Sequence, residues 1–380
     1  VSLGRDVRCS SKSLFEAAKK ALIESGIDVF DIGVVTTDMH YFAVANYGLD
    51  GGIIITASHN PAEYNGIKMV RKEAIEVSLD TGAADIRDLA IKNKFFNSNK
   101  RGKIEKLNVL DDYIEKVISI IDKKLITNKK IVVNPNYGAA GKVLEKLAQV
   151  LNLDLVKLNF DEDGTFPKGR PDPLIIENRK EVIETVKRTG ADLGVAWDAD
   201  ADRCFFFDET GSFVDASYEM ALLAQIVLAK YPGGKVVHDP RSVRVTNELT
   251  REAGGVPLME QAGRSFIKNR MRKEGAVFGG ETSGHFFYKD YYYCDNGMIT
   301  FLLMLQKICE SGDKLSEIVN PLREQYPVSG EINFKVSDTD EKIKEIKEKY
   351  SDGQFDGIDG VSVTYPAWRF NVRASNTEPL

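Results

Sequence analysis

Residues able to crosslink, bind soft metals or titrate near neutrality are scarce in this 380-residue chain, which has four cysteines and four histidines. Cys9, Cys204, Cys294 and Cys309 stand far apart with no Cys-x-x-Cys pair, which argues for reduced thiols in a cytoplasmic protein. Long apolar runs are also missing. The longest, around 298–305, is far short of the roughly 20 residues a membrane span needs, so no membrane partner is expected. No basic, apolar leader opens the chain, and no low-complexity linker interrupts it. The polar stretch 92–103 is the nearest to one and is expected to be a surface excursion. Positive charge is not in excess. With 51 Lys and Arg against 57 Asp and Glu, the net charge of -6 argues against a nucleic-acid partner bound through a basic surface. A hydrophobic share of 43% excludes disorder and fibrous classes, and the length suits two to four domains.

What is present is an alternation of β-rich runs and helical patterns. Helical periodicity is expected over 10–25, 109–121, 141–151, 181–188, 216–230, 243–253, 265–274 and 297–310. Strands are expected over 28–35, 51–56, 130–134, 192–197, 204–208, 235–239 and 277–280. The run Ile53-Ile54-Ile55 has the look of a strand buried on both faces. After Tyr326-Pro327 the texture changes to short strands (331–336, 360–364, 368–373) around a charged helix at 339–350. The expected fold is therefore α/β, with three topologically similar α/β domains at 1–108, 109–213 and 214–325. A smaller α+β domain follows at 326–380.

Four segments carry chemistry. Thr56-Ala57-Ser58-His59-Asn60-Pro61 follows a buried strand, where α/β folds place reactive groups, although a helix cap would look similar. Asn65-Gly66-Ile67-Lys68, a turn and a lysine, comes just after it. Asp198-Ala199-Asp200-Ala201-Asp202-Arg203 sets three carboxylates at alternate positions, a cluster that repels itself unless a cation intervenes. Hard oxygen ligands of this kind suit Mg²⁺ or Mn²⁺. An EF-hand is excluded because Arg203 stands where its glycine is required and strands flank the loop. In Gly279-Gly280-Glu281-Thr282-Ser283-Gly284-His285 the glycines permit close backbone approach, Glu281 and Ser283 suit sugar hydroxyls, and His285 is a titratable group. Arg373-Ala374-Ser375-Asn376-Thr377-Glu378-Pro379 offers a phosphate cradle of one arginine and several donors. Arg5, Arg8, Arg264, Ser265 and Lys268 are lesser candidates, expected at the surface unless the fold draws them in.

In this order and combination the four segments resemble the α-D-phosphohexomutase superfamily, most of all its phosphomannomutases and phosphoglucomutases. The likeness runs from Gly4-Arg5-Asp6 to Pro379. It implies four domains around a central cleft, each contributing one loop. Ser58 then corresponds to a phosphoserine, and Ser58, Asp198, Asp200 and Asp202 to the ligands of Mg²⁺. Arg203, Arg264, Ser265, Lys268, Glu281 and Ser283 look like substrate contacts. Arg373, Ser375, Asn376 and Thr377 look like binders of the phosphate that is not transferred, and Lys68 and His285 like the general acid and base. The implied reaction is reversible phosphoryl transfer between C1 and C6 of a mannose or glucose phosphate, with a hexose 1,6-bisphosphate as intermediate and activator. The partners implied are small hexose phosphates, for a monomer or homodimer. Phosphoglucosamine mutases typically carry glycine where Asn376 stands, so that activity is the alternative, beside a phosphohydrolase and a non-catalytic sugar-phosphate binder. The pattern departs from the family at three points. The first domain is expected to be short of the family's Gly-Thr-x-Gly-x-Arg-Gly segment, and the last short of a closing strand and helix. Arg264 stands in place of a common histidine.

Overall fold

The computed structural model describes residues 1–96 and 98–374. It divides into two compact units, one of Val1–Val214 with Gly284–Ile318, the other of Asp215–Ser283 with the chain from Val319 onward.

The first unit opens with β1 (Ser2–Arg5), α1 (Ser11–Glu24), β2 (Val29–Val34), α2 (Thr37–Asn46), β3 (Gly51–Ile55), β4 (Ile67–Arg71), β5 (Ile75–Glu76), α3 (Ala83–Ile91) and β6 (Ile104–Lys106). These strands form one mixed sheet in the order β5-β4-β3-β1-β2-β6, in which only β4 runs opposite to the others. The apolar stripe of α1 seats Phe15 against Leu3, Val29 and Ile55, which is why its period of 3.6 was legible. Helix α2 was not expected. Its residues Thr37 to Val44 are all buried, so no polar face marks it as a helix. The segment read as a turn before a lysine continues as β4, which places Lys68 opposite Ile54.

A second α/β layer follows in the same unit: α4 (Leu110–Ile118), β7 (Lys130–Asn134), α5 (Gly141–Leu151), β8 (Asp154–Lys157), α6 (Ile176–Thr189), β9 (Leu193–Trp197) and β10 (Cys204–Phe207). The strand order is β10-β9-β7-β8, parallel except for β10. Val132, Val182, Val186, Ala196 and Phe207 form its core, burying strand and helix faces together.

The second unit begins with α7 (Ala216–Lys230), β11 (Lys235–His238), α8 (Arg244–Glu252), β12 (Val256–Met259), α9 (Arg264–Glu274) and β13 (Phe278–Gly280). β12 and β13 both pair parallel to β11. The chain re-enters the first unit with β14 (Phe286–Tyr288), β15 (Cys294–Asp295) and α10 (Gly297–Ser311), the last capped by Asn296, whose Oδ1 accepts from Ile299 N at 2.7 Å. α11 (Leu315–Gln325) follows, and the second unit ends in α12 (Thr339–Lys349), β16 (Gln354–Asp356), β17 (Val361–Thr364) and β18 (Arg369–Val372). These last strands form a separate antiparallel sheet in the order β16-β17-β18.

The strand expected over 331–336 does not form. Its residues alternate as a strand would, but Ile332 and Phe334 are 62% and 68% exposed and no neighbouring strand pairs with the segment among the described residues. Alternation marks the face a strand could bury, and only a partner can satisfy its backbone groups. Elsewhere the parallel strands β3 and β9 end directly before the serine and aspartate segments, and β13 ends at Gly280, directly before Glu281. In open α/β sheets the carboxyl ends of strands are where ligands bind.

Candidate active site

Ser58 lies three residues beyond β3 with φ of 50°, in the left-handed region that non-glycine residues rarely adopt. Its N–H donates to Thr56 Oγ1 at 2.9 Å and its hydroxyl donates to Asp198 Oδ2 at 2.8 Å. Ser58 and the aspartate loop, 140 residues apart in sequence, therefore meet.

Asp198, Asp200 and Asp202 are all buried, and one carboxylate oxygen from each falls within 4.8 Å of the others. The loop is held between two close approaches. A Cβ on Gly138 would collide with the carbonyl oxygen of Ala199, and one on Gly297 would lie 2.5 Å from that of Ala201. Only glycine lets these segments seat the loop. Two cations meet the acids. Lys68 Nζ lies 2.6 Å from Asp200 Oδ2 and 2.7 Å from Asp202 Oδ2, while Arg203 reaches Asp198 Oδ2 through Nη2 at 2.9 Å and Nε at 3.1 Å. Thr37, at the start of α2, donates from its backbone to Asp200 O at 2.9 Å and from its hydroxyl to Asp200 Oδ2 at 2.6 Å. His285 Nε2 stands 3.5 Å from Asp202 Oδ1.

Burial, with Asp202 and Asp200 beside it, pushes the Asp198 carboxyl up to about 8 against the pull of Arg203. Burial and Asp202 also press on Asp200, yet the Lys68 ammonium and the Thr37 hydroxyl hold it below the usual carboxylate range. Burial opposes the Arg203 charge, but Asp198, Asp172 and Asp202 keep it firmly protonated. His59, whose Nδ1 is 3.3 Å from Ser58 Oγ, is pushed down to about 2 by burial and by Arg203 and Arg170, so it is neutral.

Asp200 Oδ1 is buried and accepts no hydrogen bond among the described residues. An unsatisfied carboxylate oxygen in a crowd of acids is what a hard divalent cation relieves, so the triad fits such an ion. All three donors are oxygens, which favours magnesium or manganese chemistry over zinc.

Arg264, Ser265, Lys268, Glu281, Ser283 and Arg373 belong to the second unit, and Arg5 ends β1 in the first. Glu281 Oε1 accepts from Gly263 N at 2.7 Å, which joins the Gly-Glu segment to the start of α9, where Arg264 and Ser265 lie. Lys268 is buried on that helix beside Ile267 and Met271. Arg373 Nε lies 3.8 Å from Asp359 Oδ2, and Asp359 also accepts from Ala262 N at 3.3 Å. Ser375, Asn376 and Thr377 fall outside the described residues. Ser283 stays beside Glu281.

Arg8, a lesser candidate expected at the surface unless the fold drew it in, is 1% exposed and lies under the serine loop. Two acids were not among the expected residues. Asp172 is buried at the meeting of Arg170 (3.3 Å), His59 (3.8 Å) and Arg203 (4.0 Å). Asp239 is buried in the second unit, where Oδ2 accepts from Arg241 Nη2 at 2.6 Å and from Thr282 N at 2.8 Å. Asp6 and Arg8 stand in Gly4-Arg5-Asp6-Val7-Arg8, whose alternating opposite charges were the available signal.

A serine hydrogen-bonded into a buried, cation-flanked carboxylate triad on an α/β scaffold suits a phosphoryl-transfer class of site. Comparison with known proteins gives the particular family. Residues 1–97, 111–211 and 215–326 match, in order, the phosphoglucomutase/phosphomannomutase alpha/beta/alpha domains I, II and III. A phosphomannomutase of Escherichia coli (strain K12) is 43% identical over 389 residues, covering 100% of this chain and 85% of that protein. A phosphomannomutase of Vibrio cholerae is 43% identical over 388 residues, with 100% and 84% covered. The crystal structure of a phosphoglucomutase/phosphomannomutase family protein from Burkholderia thailandensis superposes with a TM-score of 0.87 at 33% identity, covering 100% of this chain and 82% of that one. The chain belongs to the phosphoglucomutase/phosphomannomutase family. Among the described residues no helix is long and apolar enough to cross a membrane.

Proposed function

We propose that the chain interconverts the 1- and 6-phosphates of a hexose, mannose or glucose, through phosphorylated Ser58 and a bound hexose 1,6-bisphosphate. The observation that carries the reading is the Ser58 hydroxyl, 2.8 Å from Asp198 within a triad that fits a divalent cation. Mg²⁺ held by phosphorylated Ser58, Asp198, Asp200 and Asp202 would supply charge neutralisation at the transferring phosphoryl group.

The remaining work falls to side chains. In the forward half-reaction the phosphorus–oxygen bond to Ser58 breaks and one to the free sugar hydroxyl forms. The hydroxyl proton passes to a base and Ser58 Oγ regains a proton. Lys68 and His285 are the proposed acid and base, each already beside a triad carboxylate. Arg203 stays charged throughout and keeps Asp198 oriented toward Ser58. The bisphosphate then turns end for end and returns its other phosphoryl group to Ser58. Glu281 and Ser283 are proposed to hold the sugar hydroxyls, with Arg264, Ser265 and Lys268 as further substrate contacts. Arg373, Ser375, Asn376 and Thr377 are proposed to hold the phosphate that is not transferred.

In this reading four domains share the work: 1–108 for the phosphoserine, 109–213 for the metal, 214–325 for the sugar and 326–380 for the fixed phosphate. A trace of hexose 1,6-bisphosphate acts as activator by rephosphorylating Ser58. The partners are hexose phosphates rather than nucleic acid or membrane, and the setting is the cytoplasm. The test supplies mannose 1-phosphate or glucose 1-phosphate with Mg²⁺ and trace bisphosphate, and follows 6-phosphate and free phosphate. Formation of 6-phosphate without free phosphate supports the mutase. Release of free phosphate with no 6-phosphate sinks it. Glucosamine 1-phosphate as the only accepted substrate would transfer the reading to the amino sugar.

A further inference from the structure

The serine loop is shaped by a residue that touches no reacting atom. Arg8 follows β1 and its guanidinium is buried. Nη2 donates to the carbonyl oxygens of Ser58 (2.6 Å) and Asn60 (2.7 Å), and Nη1 to those of Pro61 (2.5 Å) and Tyr64 (3.2 Å). Nε donates to Asp6 Oδ2 at 3.1 Å, and Asp6 is fixed in turn by Ser11 Oγ at 2.5 Å. All five N–H donors of an arginine side chain are thus engaged. The guanidinium also lies 4.9 Å from the centre of the Phe166 ring.

Four carbonyls converging on one cation is an unusual backbone arrangement, and it coincides with the left-handed φ of 50° at Ser58. A residue rests in that sparsely populated region only where its surroundings over-determine it. The Ser58 carbonyl is held on one side by Arg8 and its N–H on the other by Thr56 Oγ1 at 2.9 Å, which aims Oγ at Asp198.

We propose that Arg8 is a positioning residue for phosphoryl transfer: its guanidinium gathers the backbone of residues 58–64 and sets the Ser58 hydroxyl against the carboxylate triad. The proposal rests on the functional reading above for its kinetic consequence and on the loop geometry for the rest. Lysine cannot substitute, since an ammonium offers three donors with no planar fork.

The experiment compares the full chain with Arg8→Lys and Arg8→Ala. In Arg8→Lys, kcat for hexose phosphate interconversion should fall on the order of 100-fold, the scale of a misplacement near 1 Å, with KM changed by less than about threefold. The rate at which Ser58 gains a phosphoryl group from hexose 1,6-bisphosphate, read by intact mass, should fall in parallel. Amide exchange across 57–66 should accelerate by about tenfold or more while β7 and β9 exchange as in the parent. Added guanidinium should restore part of the activity of Arg8→Ala. Parental kcat with parental exchange across 57–66 overturns the proposal. So does exchange accelerated equally in every strand, which makes Arg8 a general stabiliser. If the parent interconverts no hexose phosphate, the functional reading fails, and the exchange comparison still decides for or against the clamp.

Discussion

Two buried acid–cation networks, one in each unit, use the same side chains to opposite ends. In the second unit Asp239 is saturated. Oδ1 accepts from Arg241 N at 2.8 Å, and Oδ2 accepts from Arg241 Nη2 and Nε and from Thr282 N and Oγ1. Burial alone would raise its pKa, but Arg241 and Thr282 hold the carboxyl below the usual range. In the first unit three acids share one loop, Asp198 is pushed up to about 8 chiefly by burial, and Asp200 Oδ1 accepts no hydrogen bond among the described residues. A satisfied buried pair locks a loop, here the segment carrying Glu281. An over-supplied cluster of carboxylates fits a cation instead.

That contrast can be broken or sharpened by experiment. Ser58→Ala should carry the largest effect, a loss of at least about 10⁴-fold in turnover together with loss of phosphoryl incorporation from the bisphosphate. Coupled assay and intact mass read both, and Ser58→Ala retaining a tenth of the parental rate would refute the nucleophile assignment. Asp239→Ala should lower stability by about 1.5–3 kcal/mol, since it removes the closest carboxylate of the half-buried Arg241 and leaves only the longer contacts to Glu281 (3.8 Å) and Glu331 (3.5 Å), as measured by denaturant unfolding. Its effect on Mg²⁺ affinity should be negligible.

Asp200→Asn should do the reverse. Turnover falls about 100-fold and the rise in melting temperature on adding Mg²⁺ disappears, while metal-free stability falls by less than in Asp239→Ala because Lys68 keeps Asp202 at 2.7 Å. If the two variants behave alike, the distinction between a locking pair and a binding triad is wrong.

The smallest expected effect concerns pH. Asp38, fully buried, accepts from Tyr113 OH at 2.6 Å and from Thr36, and burial lifts its carboxyl from 3.8 to about 7, with Asp202 adding to the rise. Between about pH 4 and 7 the folded protein keeps a proton that the unfolded chain has released. Stability from this group is thus fully present below that window and declines as pH rises through it, by at most about 1.4 kcal/mol per pH unit. Asp38→Asn should flatten that slope in unfolding measured across the window. Asp239 runs oppositely: its depressed pKa contributes stability that is lost as the solution is acidified below the ordinary aspartate range.

The parts of the site legible in the sequence are those whose chemistry is local. Three aspartates at alternate positions are conspicuous without knowing what lies near them, and so is a serine three residues beyond Ile53-Ile54-Ile55. Amphipathic helices such as α1 were legible for the same reason, because their stripe records one buried face. Helix α2 was not, since burial on every side erases the stripe. The unpaired segment 331–336 failed conversely, carrying a strand's alternation with no strand beside it.

Arg8, Asp172 and Asp239 show what local pattern leaves out. Arg8 was only a lesser candidate until the fold set it beneath carbonyls 50 to 56 residues away. Asp172 gained meaning from His59 and Arg203, and Asp239 from Thr282. By itself the sequence marked the loops that carry Ser58 and the three aspartates, and placed each of the two after a buried strand. Only the tertiary structure decided which charges lose their water and with whom they pair, because that pairing depends on distances between segments that no local spacing encodes.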